Sequence, residues 1–188
     1  MKEPEVFVLA DRTLNGAVIE ISDDQWDREL FAGSGRTLRH VVNEQAREDA
    51  RVPEILAGRQ PGPVDGDLLG HNPYRAFTEL VDRACSAALD AGDDLDRTVD
   101  SPFGDIPARA YLWQASTSRS LTAHDLAQAI GSDEELPDDL VRGLYEQVLE
   151  HGDEMRALGF LPPAAPVPED APMLVVLLAL CGRDPALI

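Results

Sequence analysis

Apolar residues recur along most of this chain at intervals of three and four, the repeat that gathers side chains on one face of a helix. The two longest stretches that keep it are Thr37 to Ala57 and Pro107 to Ile130, and the rest of the chain arranges itself around them. A first helix is predicted from Pro4 to Glu20, with Val6, Leu9, Ala10, Leu14, Ala17 and Ile21 as its apolar stripe. Ser22-Asp23-Asp24-Gln25 has capping-box spacing, so Trp26 is placed on a short turn that folds back onto the helices. Ala32 to Arg36 reads as a loop, and Thr37 as the N-cap of a second helix that ends near Gly58 and is interrupted or kinked at Pro53. On that helix Leu38, Val41, Val42, Gln45, Ala46 and Asp49 form one stripe; His40, Glu44, Arg47 or Glu48, and Arg51 form a polar one beside it.

Gly58 to Gly70 is a loop rich in glycine and proline, and Asn72-Pro73 opens a third helix carrying Phe77, Leu80, Val81, Ala84, Cys85, Ala88 and Leu89. Thr98-Val99 and Phe103 are expected to form a brief hairpin around Gly104. The fourth helix, Pro107 to Gly131, contains the polar block Ser116-Thr117-Ser118-Arg119-Ser120, which the lining of an internal cavity would explain. A fifth helix follows Asp138-Asp139 through Leu140, Leu144 and Val148. The extended segment Phe160 to Pro172 leads to a last short helix, Met173 to Cys181. Long helices with short connections and almost no strand signal predict an all-α, up-and-down four-helix bundle with a short C-terminal helix and at most a small hairpin. All 188 residues are expected to form one domain.

Charge narrows the partners. A formal net charge of −19 repels phosphate backbones and anionic headgroups, so neither nucleic acid nor membrane is expected as a partner. Lys2 is the only lysine among the sixteen basic residues, the bias a GC-rich genome would produce. Cys85 and Cys181 each lie in an apolar helical pattern, which reads as core packing in a reducing compartment. With no secretory pattern at the start and no apolar run of membrane-spanning length, a soluble cytoplasmic protein is expected.

Several short motifs then occur in a recognisable order: Asp24-Gln25-Trp26-Asp27, Thr37-Leu38-Arg39, Leu95-Asp96-Arg97-Thr98-Val99, Phe103-Gly104-Asp105-Ile106-Pro107, Asp125-Leu126-Ala127 with Gly131, Glu135-Leu136-Pro137-Asp138, Pro166-Val167-Pro168 and Gly182-Arg183-Asp184-Pro185. In this order the chain resembles the DinB superfamily, in its actinobacterial branch related to mycothiol-dependent maleylpyruvate isomerase. The resemblance implies a bundle holding a divalent metal, zinc or nickel-like, through a histidine on helix two and a Glu or His with a second His four residues apart on a later helix. The metal would activate a thiol, with mycothiol as cosubstrate. Members of that superfamily are often dimers, so the resemblance leaves a homodimer open. The corresponding positions here are Glu44, Ser118 and Thr122, and one carboxylate with two neutral hydroxyls is a poor divalent site. No metal and no cofactor is therefore expected; a site rebuilt from His40, Glu44 and His124 is the alternative.

The candidate chemistry follows. If helices two and four face each other, Glu44 would meet the guanidinium groups of Arg47, Arg51 and Arg119 inside the bundle. That set reads either as salt bridges plugging a vacated cavity or as a pocket for a small organic anion. In the second case Glu44, His40 and Arg119 are the candidate catalytic residues, with Arg47, Arg51, Trp113, Ser118, Thr122 and His124 as candidate ligand-binding ones. The reaction would be a metal-independent isomerisation, cyclisation or transfer in small-molecule metabolism. A non-catalytic ligand-binding or interaction bundle, and a metal-dependent mycothiol transferase or isomerase, are the other readings.

Overall fold

The structure, a computed structural model, describes residues 1–102, 104–133, 135–157, 159 and 161–183, and of Glu154 only the backbone. Phe103 of the expected hairpin, Glu134 at the acidic edge before the fifth helix, Phe160 at the start of the extended tail, and Asp184-Pro185 of the last motif lie outside the described residues. The elements are α1 (Glu3–Ile19), α2 (Leu38–Leu56), α3 (Pro73–Asp90), β1 (Thr98–Ser101), β2 (Gly104–Pro107), α4 (Ala108–Ile130), α5 (Asp138–Ala157) and α6 (Met173–Leu180). The architecture is all-α, a four-helix bundle with a short C-terminal helix and one small hairpin. Two compact units are distinguished, Met1–Glu135 and Leu136–Ile188.

The first unit holds the bundle. The helix starts follow from local chemistry: Thr37 Oγ1 accepts from the His40 amide at 3.2 Å and Asn72 Oδ1 from the Arg75 amide at 3.1 Å, each satisfying an orphan donor of the first turn. Gly131 ends α4 at φ 74°, a conformation other residues adopt only at a cost. Pro53 leaves α2 continuous: the Ala57 amide still reaches Pro53 O at 3.0 Å. Around the bundle α3 packs against both α1 and α2, and α4 packs closely against α1 but only loosely against α2. The ring α2, α3, α1, α4 is thus nearly open along its α2/α4 edge.

The connections brace that ring. After α1, Ser22 donates its amide to Gln25 Oε1 at 3.0 Å, and the turn it starts buries Trp26 against Tyr74, whose hydroxyl accepts from Trp26 Nε1 at 3.2 Å. The chain then doubles back, with the Leu30 amide on Arg36 O at 2.9 Å and the Leu38 amide on Arg28 O at 2.8 Å. Between α3 and α4, Arg97 donates to the carbonyls of Ala91 at 3.0 Å and Leu56 at 2.7 Å, and to that of Asp94. It thereby ties the ends of two helices to a hairpin in which Val99 pairs with Ile106. Under this corner Phe7, Val52, Leu56, Ala84, Ala88, Leu95, Val99 and Leu112 form a continuous core.

Two expected stripes shift. On α1 the buried face includes Phe7, Asp11, Asn15 and Val18, while Leu9 is half-buried. On α3, Leu89 is 60% exposed and stands outside the core. On α1, which packs against both α3 and α4, the inward face is wider than one line of apolar residues, whereas on α3 it ends one residue earlier, at Ala88.

In the second unit α5 packs against α6. Arg156 Nη2 donates to Leu180 O at 2.9 Å and the Ala165 amide to Ala179 O at 2.9 Å. Gly182 turns the chain at φ 78°, where an added Cβ would fall 2.2 Å from Pro162 Cγ. Gly182→Ala is expected to destabilise this unit by about 2 kcal/mol, the left-handed penalty plus the overlap. Hydrogen exchange of the α6 amides should accelerate while exchange in α1–α4 stays unchanged; equal protection of α6 in both proteins would refute the tight approach.

Candidate functional site

Where α2 and α4 part, the structure has a cleft of about 500 Å³ lined by Glu44, Gln45, Arg47, Glu48 and Arg51 of α2, Ser118 and Thr122 of α4, and Arg36, Val64 and Asp65 from loops. The three positions Glu44, Ser118 and Thr122 therefore do share one hollow. A smaller pocket of about 100 Å³ adjoins it, sharing Glu48, Arg51 and Ser118, and is walled by Ile55, Pro102, Tyr111, Gln114, Ala115 and Arg119.

The cleft has a third wall, built by a stripe on α2. Arg39, Asn43, Arg47 and Arg51, spaced by four and so on one helical face, hold the 64–70 loop. Arg39 Nη2 reaches Asp67 Oδ2 at 2.6 Å and Gly70 O at 2.7 Å, and Asn43 Nδ2 donates to Gly66 O at 3.0 Å. Arg47 donates to the same Gly66 carbonyl through Nε at 3.1 Å and Nη2 at 2.6 Å. Arg51 Nη2 touches Val64 O at 3.5 Å. Arg47 is thus a loop-holding residue first, whereas Arg51 keeps Nε and Nη1 without partners among the described residues.

The expected meeting of Glu44 with Arg119 does not occur. Glu44 ion-pairs with Arg36, delivered by the 28–38 turn, and its Oε1 lies 3.1 Å from His40 Nε2; its side chain is 38% exposed. Arg119 instead points to the core. Its Nε donates to Asp11 Oδ1 at 2.9 Å, its Nη2 to Asp49 and its Nη1 to Ala115 O at 3.2 Å, and its guanidinium carbon sits 4.7 Å from the centre of the Phe7 ring. Cys85 Sγ lies 3.7 Å from the other oxygen of Asp11. Burial pushes both aspartates above the ordinary carboxylate range against the pull of Arg119, and it pushes the Cys85 thiol up to about 12. Cys85 thus packs as a neutral thiol, as does Cys181, pushed up to about 11.

The polar block of α4 resolves into two behaviours. Ser116, Thr117 and Ser120 return their hydroxyls to the carbonyls of Leu112, Trp113 and Ser116 at 2.7, 2.9 and 2.8 Å, so most of the block is self-satisfied core. Ser118 and Thr122, one turn apart, make no such bond and present free hydroxyls to the cleft. Trp113 is half-buried and His124 is buried, and neither lines either pocket. The residues missed from sequence are Arg36, Asp65, Asp11, Asp49 and above all Glu48. Glu48 faces both pockets and makes no hydrogen bond or ion pair among the described residues; burial is the main cause raising its pKa, with Asp49 and Glu44 acting the same way against Arg119 and Arg51.

These donors do not fit a divalent ion. Glu44 is already neutralised by Arg36, the α4 positions offer only hydroxyls, and His124 is away from the cleft, so the rebuilt set His40, Glu44 and His124 is not assembled here. Among the described residues no three His, Cys, Asp or Glu side chains converge as metal ligands, and no helix is long and apolar enough to cross a membrane.

No family model matches the sequence, and no curated protein matches it. Among solved structures the fold matches that of a mycothiol-dependent maleylpyruvate isomerase, in a histidine-to-alanine mutant. The TM-score is 0.59 and the identity 17%, over 79% of this chain and 70% of that one. At that identity the likeness extends to the fold alone, an all-α bundle like that of the isomerase.

Proposed function

We propose that the protein binds a small organic anion in the α2/α4 cleft without a metal, and that any chemistry there is an isomerisation, cyclisation or transfer driven by side chains. The observation that carries this reading is the cleft itself, opened at the loose edge of the bundle and lined by Glu44, Arg47, Arg51, Ser118 and Thr122 together. Arg51, with two unpartnered donor positions, is the anchor for a carboxylate, and the Ser118 and Thr122 hydroxyls face it from α4. Glu44, which lines the cleft, is paired with Arg36 and with His40, and His40 itself lines neither pocket. The neighbour's name gives mycothiol-dependent isomerisation of maleylpyruvate as its activity; the emptied ligand positions make a thiol-activating metal the weaker reading for this chain.

Maleate, a small dicarboxylate, is a suitable probe. Titration into the isotopically labelled protein should shift amide signals of α2 and α4 around residues 44–51 and 118–122, and Arg51→Gln should weaken binding about tenfold, the loss of one charge-assisted contact. Shifts confined to other surfaces, or affinity untouched by Arg51→Gln, would refute the cleft as an anion site.

A further inference from the structure

The charges of the cleft, taken one by one, define the ligand more narrowly than an anion. Its lining carries three guanidinium groups, Arg36, Arg47 and Arg51, against three carboxylates, Glu44, Glu48 and Asp65. Arg36 and Glu44 neutralise each other, and Arg47 is held by Gly66 O. Among the described residues the groups lining the hollow uncommitted are the Arg51 guanidinium, the Glu48 carboxylate, the two hydroxyls of α4, the buried Gln45 Oε1 and, at the exposed rim, Asp65. Glu48 and Arg51 are three residues apart on α2 and so share a face, yet they do not pair with each other.

A simple anion seated on Arg51 brings negative charge beside Glu48, so a ligand that also carries a positive charge of its own should bind there more tightly than the anion alone. The pocket beyond adds a third requirement. It holds about three water-sized groups, its walls are mainly the apolar surfaces of Ile55, Pro102, Ala115 and the Tyr111 ring, and Glu48 and Arg51 stand at its junction with the cleft.

We propose that the cleft recognises a zwitterionic, amino-acid-like ligand, with its carboxylate on Arg51, its ammonium group on Glu48 and a small aliphatic side chain in the inner pocket. Ser118, at the same junction, donates to the carboxylate, and Thr122 lies one turn along the cleft wall. This rests on the anion-site reading, because Arg51 anchors both. It adds the cation-binding role of Glu48 and a size limit: side chains of valine size fit the inner pocket and an aromatic ring does not.

The test compares L-valine with two analogues that each lack one charge, 3-methylbutanoate and isobutylamine, and with L-phenylalanine, each titrated at pH 7 into the whole labelled chain. Valine is expected to bind at least tenfold more tightly than either single-charge analogue or phenylalanine. Glu48→Gln should erase the preference of valine over 3-methylbutanoate while 3-methylbutanoate still binds. If 3-methylbutanoate binds wild type as tightly as valine, or the preference survives Glu48→Gln, the zwitterion assignment is overturned and the anion site stands. If no probe shifts the cleft signals, both fall. The wild-type comparison decides the matter even if the variant folds poorly.

Discussion

Replacing Arg119 by methionine should destabilise the bundle by about 3–5 kcal/mol, because it strands two carboxyl groups that have no water to turn to. Asp11 and Asp49 come from different helices and both side chains are fully buried, and Arg119 is the only cation either of them reaches by ion pair among the described residues. The guanidinium also stacks on Phe7, a contact worth about 1 kcal/mol. Urea denaturation should show the loss as a lowered midpoint. The partner experiment replaces all three charged residues together, Asp11→Leu, Arg119→Met and Asp49→Leu. Most of the stability should return, since the penalty lies in unpaired charge and not in a missing attraction. A single Arg119→Met variant within about 1 kcal/mol of wild type would mean that the network bears no weight in holding α1, α2 and α4 together.

That network was half legible. Asp49 falls within the apolar stripe of α2, whereas Asp11 lies outside the stripe expected for α1 and is buried because that helix turns a wider face inward. Periodicity shows which face turns inward, but not that a third helix brings a guanidinium between the two. The boundaries were legible for the opposite reason: Thr37, Asn72 and Gly131 act on backbone atoms within one turn of themselves. Glu44, Ser118 and Thr122 line one cleft because α2 and α4 part along that edge of the bundle. The roles then diverge. Arg47 is claimed by the carbonyl of Gly66 and Glu44 by Arg36, both partners supplied by irregular loops whose paths follow from tight backbone pairing and not from any repeat. Glu48, spaced like any solvated helix residue, gains its exceptional position only because α2 and α4 stay apart.

The second large effect is on the pH dependence of stability, and its sign is unusual for an acidic protein's carboxylates. Asp49 is pushed up to about 7 by burial, opposed by Arg119 and reinforced by Asp11, and one of its oxygens, Oδ2, has no partner. One guanidinium cannot balance two carboxylates, so the network retains a proton. Between the unfolded value of about 4 and about 7 the folded state therefore binds more protons than the unfolded one, and stability falls as pH rises through that window and levels off above it. The contribution is fully present below about pH 4. The groups acting on the network are Arg119, Asp11, Cys85, Glu48 and Tyr111, with Arg12 acting on Asp11 and Cys85, and over this window the neighbouring carboxylates can only add to the trend as they ionise. Repulsion within a chain of formal net charge −19 also weakens the fold as pH rises, so the decisive quantity is a difference between two proteins that share the same surface. Asp49→Asn cannot titrate at this position. From pH 4.5 to 7.5 the stability of Asp49→Asn relative to wild type should climb by about 2 kcal/mol, within the limit of about 1.4 kcal/mol per pH unit for one proton. A difference that stays flat across the range would show that Asp49 is ionised throughout, and the shared proton would have to be abandoned.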